Sequence, residues 1–192
     1  MHVTKIYEKD AGTRLVSDIF DNILVNGDFK FESIELHVRD KAVSFIDDEK
    51  AVICLDYNDP FIREMDARGI RILLVHELFR LTFKFDVPKH VEDVIIGREM
   101  LRRGYGDELL YLYYNRLLQG GYEGIEGCVR ANLPWIIFSK HDKYDSELLK
   151  KQAAKICGKK FDCRSLLDAL MDLSQKTLPK AVEEYERVSA CK

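Results

Sequence analysis

The stretch PFIREMDARGIRILLVHELFRLTFKF, residues 60–85, is the strongest structural signal in this chain. Asp59 can cap a helix that begins here, and Pro60 suits the first helical position because its missing N–H would be unpaired there anyway. The next proline breaks the pattern, since a proline removes a helical hydrogen bond and restricts the residue before it. We therefore predict one long helix over residues 60–85, loosened at Gly69.

Shorter elements precede this helix. Apolar residues at helical spacing predict a helix over residues 13–25. Alternating apolar and polar residues predict a half-buried strand over 29–39. Two further strands are predicted at 42–46 and 51–55, and the polar turn 47–50 would join them as a hairpin.

The rest of the chain is predicted to be helical. The predicted elements are helices over 90–103 and 107–119, a glycine-rich loop over 120–127, and helices over about 143–157, 163–175 and 178–190. The short apolar run over 133–138 is not assigned to a helix or a strand. We therefore expect an α+β fold, in which a small, mainly antiparallel sheet packs with helices and a helical C-terminal part follows. Residues 1–104 would form the α+β core, and residues 105–192 would pack on it within one compact domain.

Composition excludes several classes of protein. The chain has 192 residues with 30 basic and 33 acidic side chains, a net charge of −3, which argues against a general nucleic-acid binder. The apolar runs, such as residues 72–75, are far shorter than the ~20 residues that a transmembrane helix needs, so we expect no membrane association. The five cysteines form no C-x-x-C pair, which favours reduced thiols and a cytoplasmic location.

One short motif in the long helix contains residue types that bind metal ions and catalyse hydrolysis in other proteins. The motif is Val75-His76-Glu77-Leu78-Phe79-Arg80. Its residues His76 and Arg80 are four positions apart and therefore share a helix face. In zinc hydrolases with the H-E-x-x-H motif, two histidines at this spacing hold one metal ion and the glutamate acts as the general base. Here the second histidine is replaced by Arg80.

The order of helix, strands, H-E helix and following helix resembles the minimal zincin metallopeptidase domain, over about residues 13–103. The gluzincin branch is especially similar, and this resemblance implies that Glu99 on the next helix takes the place of the third zinc ligand. An active enzyme would then hold zinc through His76 and Glu99, with His90 or Asp86 as a further ligand. Glu77 would be its general base.

The arginine changes what such a site can do. A guanidinium has no lone pair to donate and stays charged at any working pH, so Arg80 cannot replace an imidazole ligand. We hypothesise a pseudo-site of His76, Glu77, Arg80 and Glu99, in which Arg80 takes the place of the metal and pairs with Glu99 or Glu77. The plain alternative is that these residues are ordinary helix-surface charges with i,i+3 and i,i+4 pairing.

Other polar residues are expected to have structural roles. His37 is expected to face solvent on its strand, His90 to be a turn residue, and His2 to be disordered. Arginines 98, 102, 103 and 116 are expected on a solvated face. The helix with Tyr111, Tyr113 and Tyr114 is expected to be buried, in the core or against a second subunit.

These patterns favour a degenerate zincin-like protein that has no catalytic zinc and no other cofactor, and that binds a peptide or protein partner. An active metal-dependent peptidase is the first alternative, with zinc as its cofactor. A structural or interaction module unrelated to zincins is the second. A second copy of the chain is a further candidate partner.

Overall fold

The computed structural model describes residues 1–7, 13–27, 29–39, 45–47, 50–56, 59–83, 85–119, 124–157 and 164–190. Two compact units share the chain, Met1–Lys84 and Phe85–Lys192. The helix around Glu99, which we assigned to the α+β core, therefore belongs to the second unit. Among the described residues, no helix is both long and apolar enough to cross a membrane.

The first unit contains a small sheet and the long helix. Its elements are β1 (His2–Tyr7), α1 (Thr13–Asn26), β2 (Ser33–Arg39), β3 (Phe45–Asp47), β4 (Lys50–Asp56), α2 (Pro60–Arg63) and α3 (Ala67–Phe83). The sheet order is β1-β2-β4-β3. β1 pairs with β2 and β2 pairs with β4 in parallel, whereas the short β3 pairs with β4 antiparallel at the edge.

The expected mainly antiparallel sheet is therefore wrong. The predicted hairpin is present as β3 and β4, but β4 returns between β2 and β3 and runs parallel to β2. β1 was not predicted from the sequence, and it includes His2, the residue expected to be disordered. Because α1 connects β1 to β2 as a crossover, these two strands run parallel.

One face of the sheet and the first two long helices form the core of this unit. Leu36 and Ile53 lie side by side on that face and are fully buried. Lys5 lies in register with Leu36, and its Nζ donates a hydrogen bond to Oγ of Ser17 on α1 (2.7 Å), so α1 covers this face. α1 also packs against α3, where Leu74 is fully buried.

The predicted helix over 60–85 divides into α2 and α3. The backbone N–H of Gly69 donates a hydrogen bond to Oδ1 of Asp66 (2.8 Å), so Asp66 caps the first turn of α3. Gly69 therefore lies in the first turn of a new helix rather than at a loosened point within one. The division follows from the cap at Asp66, a local signal within the stretch predicted as one helix.

The second unit is helical in its described residues. Its helices are α4 (Lys89–Arg102), α5 (Gly106–Gln119), α6 (Gly124–Phe138), α7 (Ser146–Cys157), α8 (Arg164–Met171) and α9 (Leu178–Ser189). α6 packs against α4, α5, α7 and α8, and α8 packs against α9. The apolar run over 133–138 lies inside α6. The loop predicted over 120–127 extends too far, because α6 begins at Gly124, whereas residues 120–123 lie outside the described residues.

Candidate functional site

The second half of α3 holds the H-E-x-x-R residues close together. Nδ1 of His76 lies 3.6 Å from Oε1 of Glu77, and Nη1 of Arg80 lies 3.5 Å from Oε2 of the same carboxylate. The side chains of His76, Glu77 and Arg80 are 12%, 15% and 27% exposed. The carboxylate of Glu77 thus lies between an imidazole and a guanidinium, and all three groups are only partly accessible to solvent.

The position of this trio follows from the composition of α3. About half of this helix is buried, including Leu74, Val75, Leu78 and Phe79. The helix is therefore held along its apolar residues, which restricts the rotation of the polar side chains between them. A half-buried carboxylate needs partners, and its neighbours on the same helix supply them.

The residues present on α3 do not fit a zinc centre. Zinc in hydrolases takes three protein ligands with nitrogen, oxygen or sulfur lone pairs, and Arg80 offers none. Its fixed positive charge would also repel a dication. Within the described ranges, no group of three or more His, Cys, Asp or Glu side chains is placed to hold a metal ion.

Glu99, the residue implied as the third ligand, lies on α4 in the second unit. Its carboxylate accepts hydrogen bonds from Nε and Nη2 of Arg102 (2.7 and 2.6 Å) and from Nε of Arg103 (2.7 Å). The bonds from Arg102, together with those from Arg103, lower the pKa of Glu99 to about 2. This carboxylate is therefore ionised and satisfied by its own helix, while its pairing with Arg80 stays a prediction.

A second polar cluster lies on the sheet. Nε2 of His37 lies 2.8 Å from Oε2 of Glu35, and Nζ of Lys50 lies 2.7 Å from Oε1 of the same carboxylate. The hydrogen bonds from Lys50 and His37 lower the pKa of Glu35. The side chain of His37 is only 15% exposed, so the expectation that it faces solvent is wrong. The alternation of the strand predicted that His37 lies on the polar face, but it did not predict how far neighbouring residues cover the side chain.

Arg98 was expected on a solvated face, and the structure corrects this. Its Nη1 donates a hydrogen bond to the carbonyl of Leu173 (2.9 Å), and its Nη2 donates to those of Met171 (2.9 Å) and Leu170 (3.2 Å). A weaker bond reaches the carbonyl of Ile136 (3.4 Å). Burial lowers the pKa of this guanidinium, and the charge of a nearby aspartate partly offsets that effect. Arg98 thus caps the end of α8.

His90 was expected to be a turn residue, but it lies in the first turn of α4 and is buried. Its Nδ1 is buried without a hydrogen-bond partner and lies 3.8 Å from Oδ2 of Asp93, and its ring packs against that of Tyr185 (5.8 Å). Tyr113 is also buried, and burial together with the charge of Asp93 raises its pKa. Helical spacing alone could have suggested that His90 shares a buried face with Val94.

Comparisons with protein-family models, with curated proteins and with solved structures found no match for this chain.

Proposed function

We propose that the first unit is a zincin-like scaffold without catalytic zinc, and that it acts by binding a peptide or protein partner. One observation carries this proposal. The guanidinium of Arg80 lies beside the carboxylate of Glu77, at the position where an H-E-x-x-H helix would carry its second metal ligand.

The charges on α3 support this proposal. In an active enzyme, Glu77 would be a base that acts on a metal-bound water. Here its two oxygens face Arg80 and His76, so the carboxylate already lies beside the fixed positive charge of Arg80. The partly exposed trio still offers hydrogen-bond donors and an acceptor on one helix, which suits recognition of polar peptide groups.

We also propose that the protein works in the cytoplasm. Cys54 and Cys128 are buried thiols, which persist most readily where the cell keeps cysteines reduced.

Zinc stoichiometry tests the first part of the proposal. The parent protein, dialysed without a strong chelator, is expected to hold no stoichiometric zinc by mass spectrometry. Arg80→His restores two imidazoles four residues apart and is expected to bind about one zinc per chain. Adding His76→Ala to this variant should abolish the binding, because one of the two imidazoles is lost.

A matched control separates a metal scaffold from any pair of helix histidines. Glu183→His with Arg187→His places the same i,i+4 pair on α9. The Arg80→His protein should bind zinc at least about tenfold more tightly than this control, a difference of about 1.4 kcal/mol. Equal affinities would favour an interaction module unrelated to zincins. Stoichiometric zinc in the parent, lost in His76→Ala, would instead favour the active peptidase.

Peptide selection tests the second part. Peptides selected from a random display library on the parent are expected to bind Glu77→Gln at least about tenfold more weakly, because a neutral amide no longer pairs with Arg80. Arg102→Met, a change at an exposed arginine of α4, serves as the control and should bind them normally. Selected peptides that ignore the Glu77 change would contradict a binding role for this trio.

A further inference from the structure

The first strand leaves one of its sides open. Among the described residues, β1 is an outer strand of the sheet and pairs with β2 alone. The N–H of His2 donates a hydrogen bond to the carbonyl of Glu32, so His2, Thr4 and Ile6 direct their backbone groups towards β2. Val3 and Lys5 direct theirs outward by the alternation of the strand. No backbone hydrogen bond of these two residues is found within the described residues.

This edge lacks two of the usual protections against strand addition. Proteins commonly block an open edge with a proline, a bulge or a lysine that reaches into solvent. β1 contains no proline, and its register with β2 runs over six residues without a bulge. Its one lysine does not reach into solvent along the edge but points to the core face, where Nζ of Lys5 bonds to Ser17 and Asp21 of α1. An added strand would therefore have to fit beside this inward-pointing charge.

Apolar side chains flank the open edge. Ile6 is 42% exposed and Met1 is 60% exposed, two of the few large apolar residues of the described chain that face solvent. Added strand pairing would cover such residues and would satisfy the outward amides at the same time.

We propose that a second copy of this chain pairs with β1, antiparallel and about a two-fold axis, so that two sheets join into one. The sequence of the strand suits one register in particular. When Thr4 faces Thr4 of the second copy, the outward amides of Val3 face those of Lys5, and Ile6 faces His2. No like charges oppose each other in this register, whereas a shift by one residue would place Lys5 opposite Lys5, which destabilises a sheet.

The size of the contact predicts a weak dimer. Stable interfaces start at about 1,200 Å² of total buried area, and a six-residue strand pair lies at or below this value. We therefore expect a reversible dimer with a dissociation constant in the micromolar range. Sedimentation equilibrium from about 1 to about 300 µM brackets such a constant.

Two proline variants test the edge. Val3→Pro removes an outward N–H that β1 does not use within its own sheet, so the chain should stay folded by circular dichroism and dimerise at least about tenfold more weakly. Thr4→Pro removes an N–H directed to β2 and should instead destabilise the first unit. A parent that stays monomeric over the whole range, or a Val3→Pro protein that dimerises as tightly as the parent, overturns the proposal.

Cysteine cross-linking tests the register without relying on the proline variants. The Thr4 pair is a non-hydrogen-bonded antiparallel pair, with Cα atoms about 4.5 Å apart, inside the range that a disulfide spans. Thr4→Cys should therefore form a disulfide-linked dimer under mild oxidation, above the level of the parent. Ile6→Cys should not, because its counterpart lies about 13 Å away in this register. Equal cross-linking of both variants, or none in Thr4→Cys, overturns the proposal, and pairing with an extended peptide would then be the remaining use of this edge.

Discussion

At the scale of single residues, the surroundings of the arginines differ more than their sequence positions suggest. Arg102 is 70% exposed and pairs with Glu99, while Arg98, one turn earlier on the same helix, donates to backbone carbonyls at the end of α8. The carbonyl of Leu170 also accepts a hydrogen bond from the N–H of Leu173 (3.3 Å). The last carbonyls of a helix generally lack partners within it, so a cation there supplies donors and also opposes the negative end of the helix dipole.

Arg98→Met is expected to destabilise the second unit. Methionine keeps much of the aliphatic stem but removes the hydrogen bonds that Arg98 donates to the carbonyls of Leu170, Met171 and Leu173. We expect the free energy of unfolding in urea to fall by about 2 kcal/mol. Backbone amides of residues 164–173 should also exchange faster with deuterium.

The control for this change is Arg102→Met, four residues further along α4. It removes only an exposed ion pair and should cost less than about 1 kcal/mol. If both variants lost the same stability, Arg98 would not act through the end of α8.

At the scale of elements, a single glycine sets how closely α4 approaches α6. A Cβ atom added at Gly97 would lie 2.6 Å from Cδ1 of Ile137, closer than real Cβ contacts allow. The absence of a side chain at Gly97 therefore lets the two helices pack in direct contact.

Gly97→Ala is expected to lower the free energy of unfolding by about 1–3 kcal/mol, because the helices must separate or Ile137 must leave its rotamer. This loss should outweigh the gain of about 1 kcal/mol in helix propensity. Urea unfolding measures the change.

A double-mutant cycle shows whether the clash is the cause. Ile137→Val removes Cδ1, the atom nearest to the added methyl group. The double variant should be more stable than the sum of the two single changes predicts, by about 0.5 kcal/mol or more. If the two changes in the free energy of unfolding were strictly additive, the contact with Cδ1 of Ile137 would not be the cause of the effect.

At the scale of the whole molecule, each unit contains its own core. In the first unit, Phe20, Leu36 and Leu74 are fully buried between sheet and helices. In the second, Ile96 and Ile136 are fully buried among helices. A chain of about 100 residues buries roughly 65% of its unfolded surface, which is enough for independent folding.

The segment 85–192 is therefore expected to fold when it is expressed alone. It should show the circular dichroism of a helical protein and one cooperative thermal transition, and Arg98→Met should lower its melting temperature. A non-cooperative melt would mean that the second unit needs residues 1–84 for its structure.

Local sequence predicted only part of the candidate site. The spacing of His76 and Arg80 on one helix face followed from helical periodicity, and the two side chains do lie beside Glu77. The partners of Glu99 did not follow from the resemblance, because Arg102 on its own helix and Arg103 directly after it bind its oxygens. The burial of His90 and the capping role of Arg98 also went unseen, since both depend on residues far along the chain.

Local sequence by itself determined most of the helices. The helices predicted over 13–25, 90–103 and 178–190 lie within a residue or two of α1, α4 and α9, because periodicity, caps and prolines act within a few residues. The direction of the strands, in contrast, depends on the tertiary structure. Apolar and polar residues do not alternate clearly in β1, and its pairing partner β2 lies some thirty residues further along the chain, beyond α1. Neither the strand nor the parallel pairing could therefore be predicted from neighbouring residues. Hydrogen bonds between strands form only once the crossover helix has packed, which is why only the folded structure settles their order and direction.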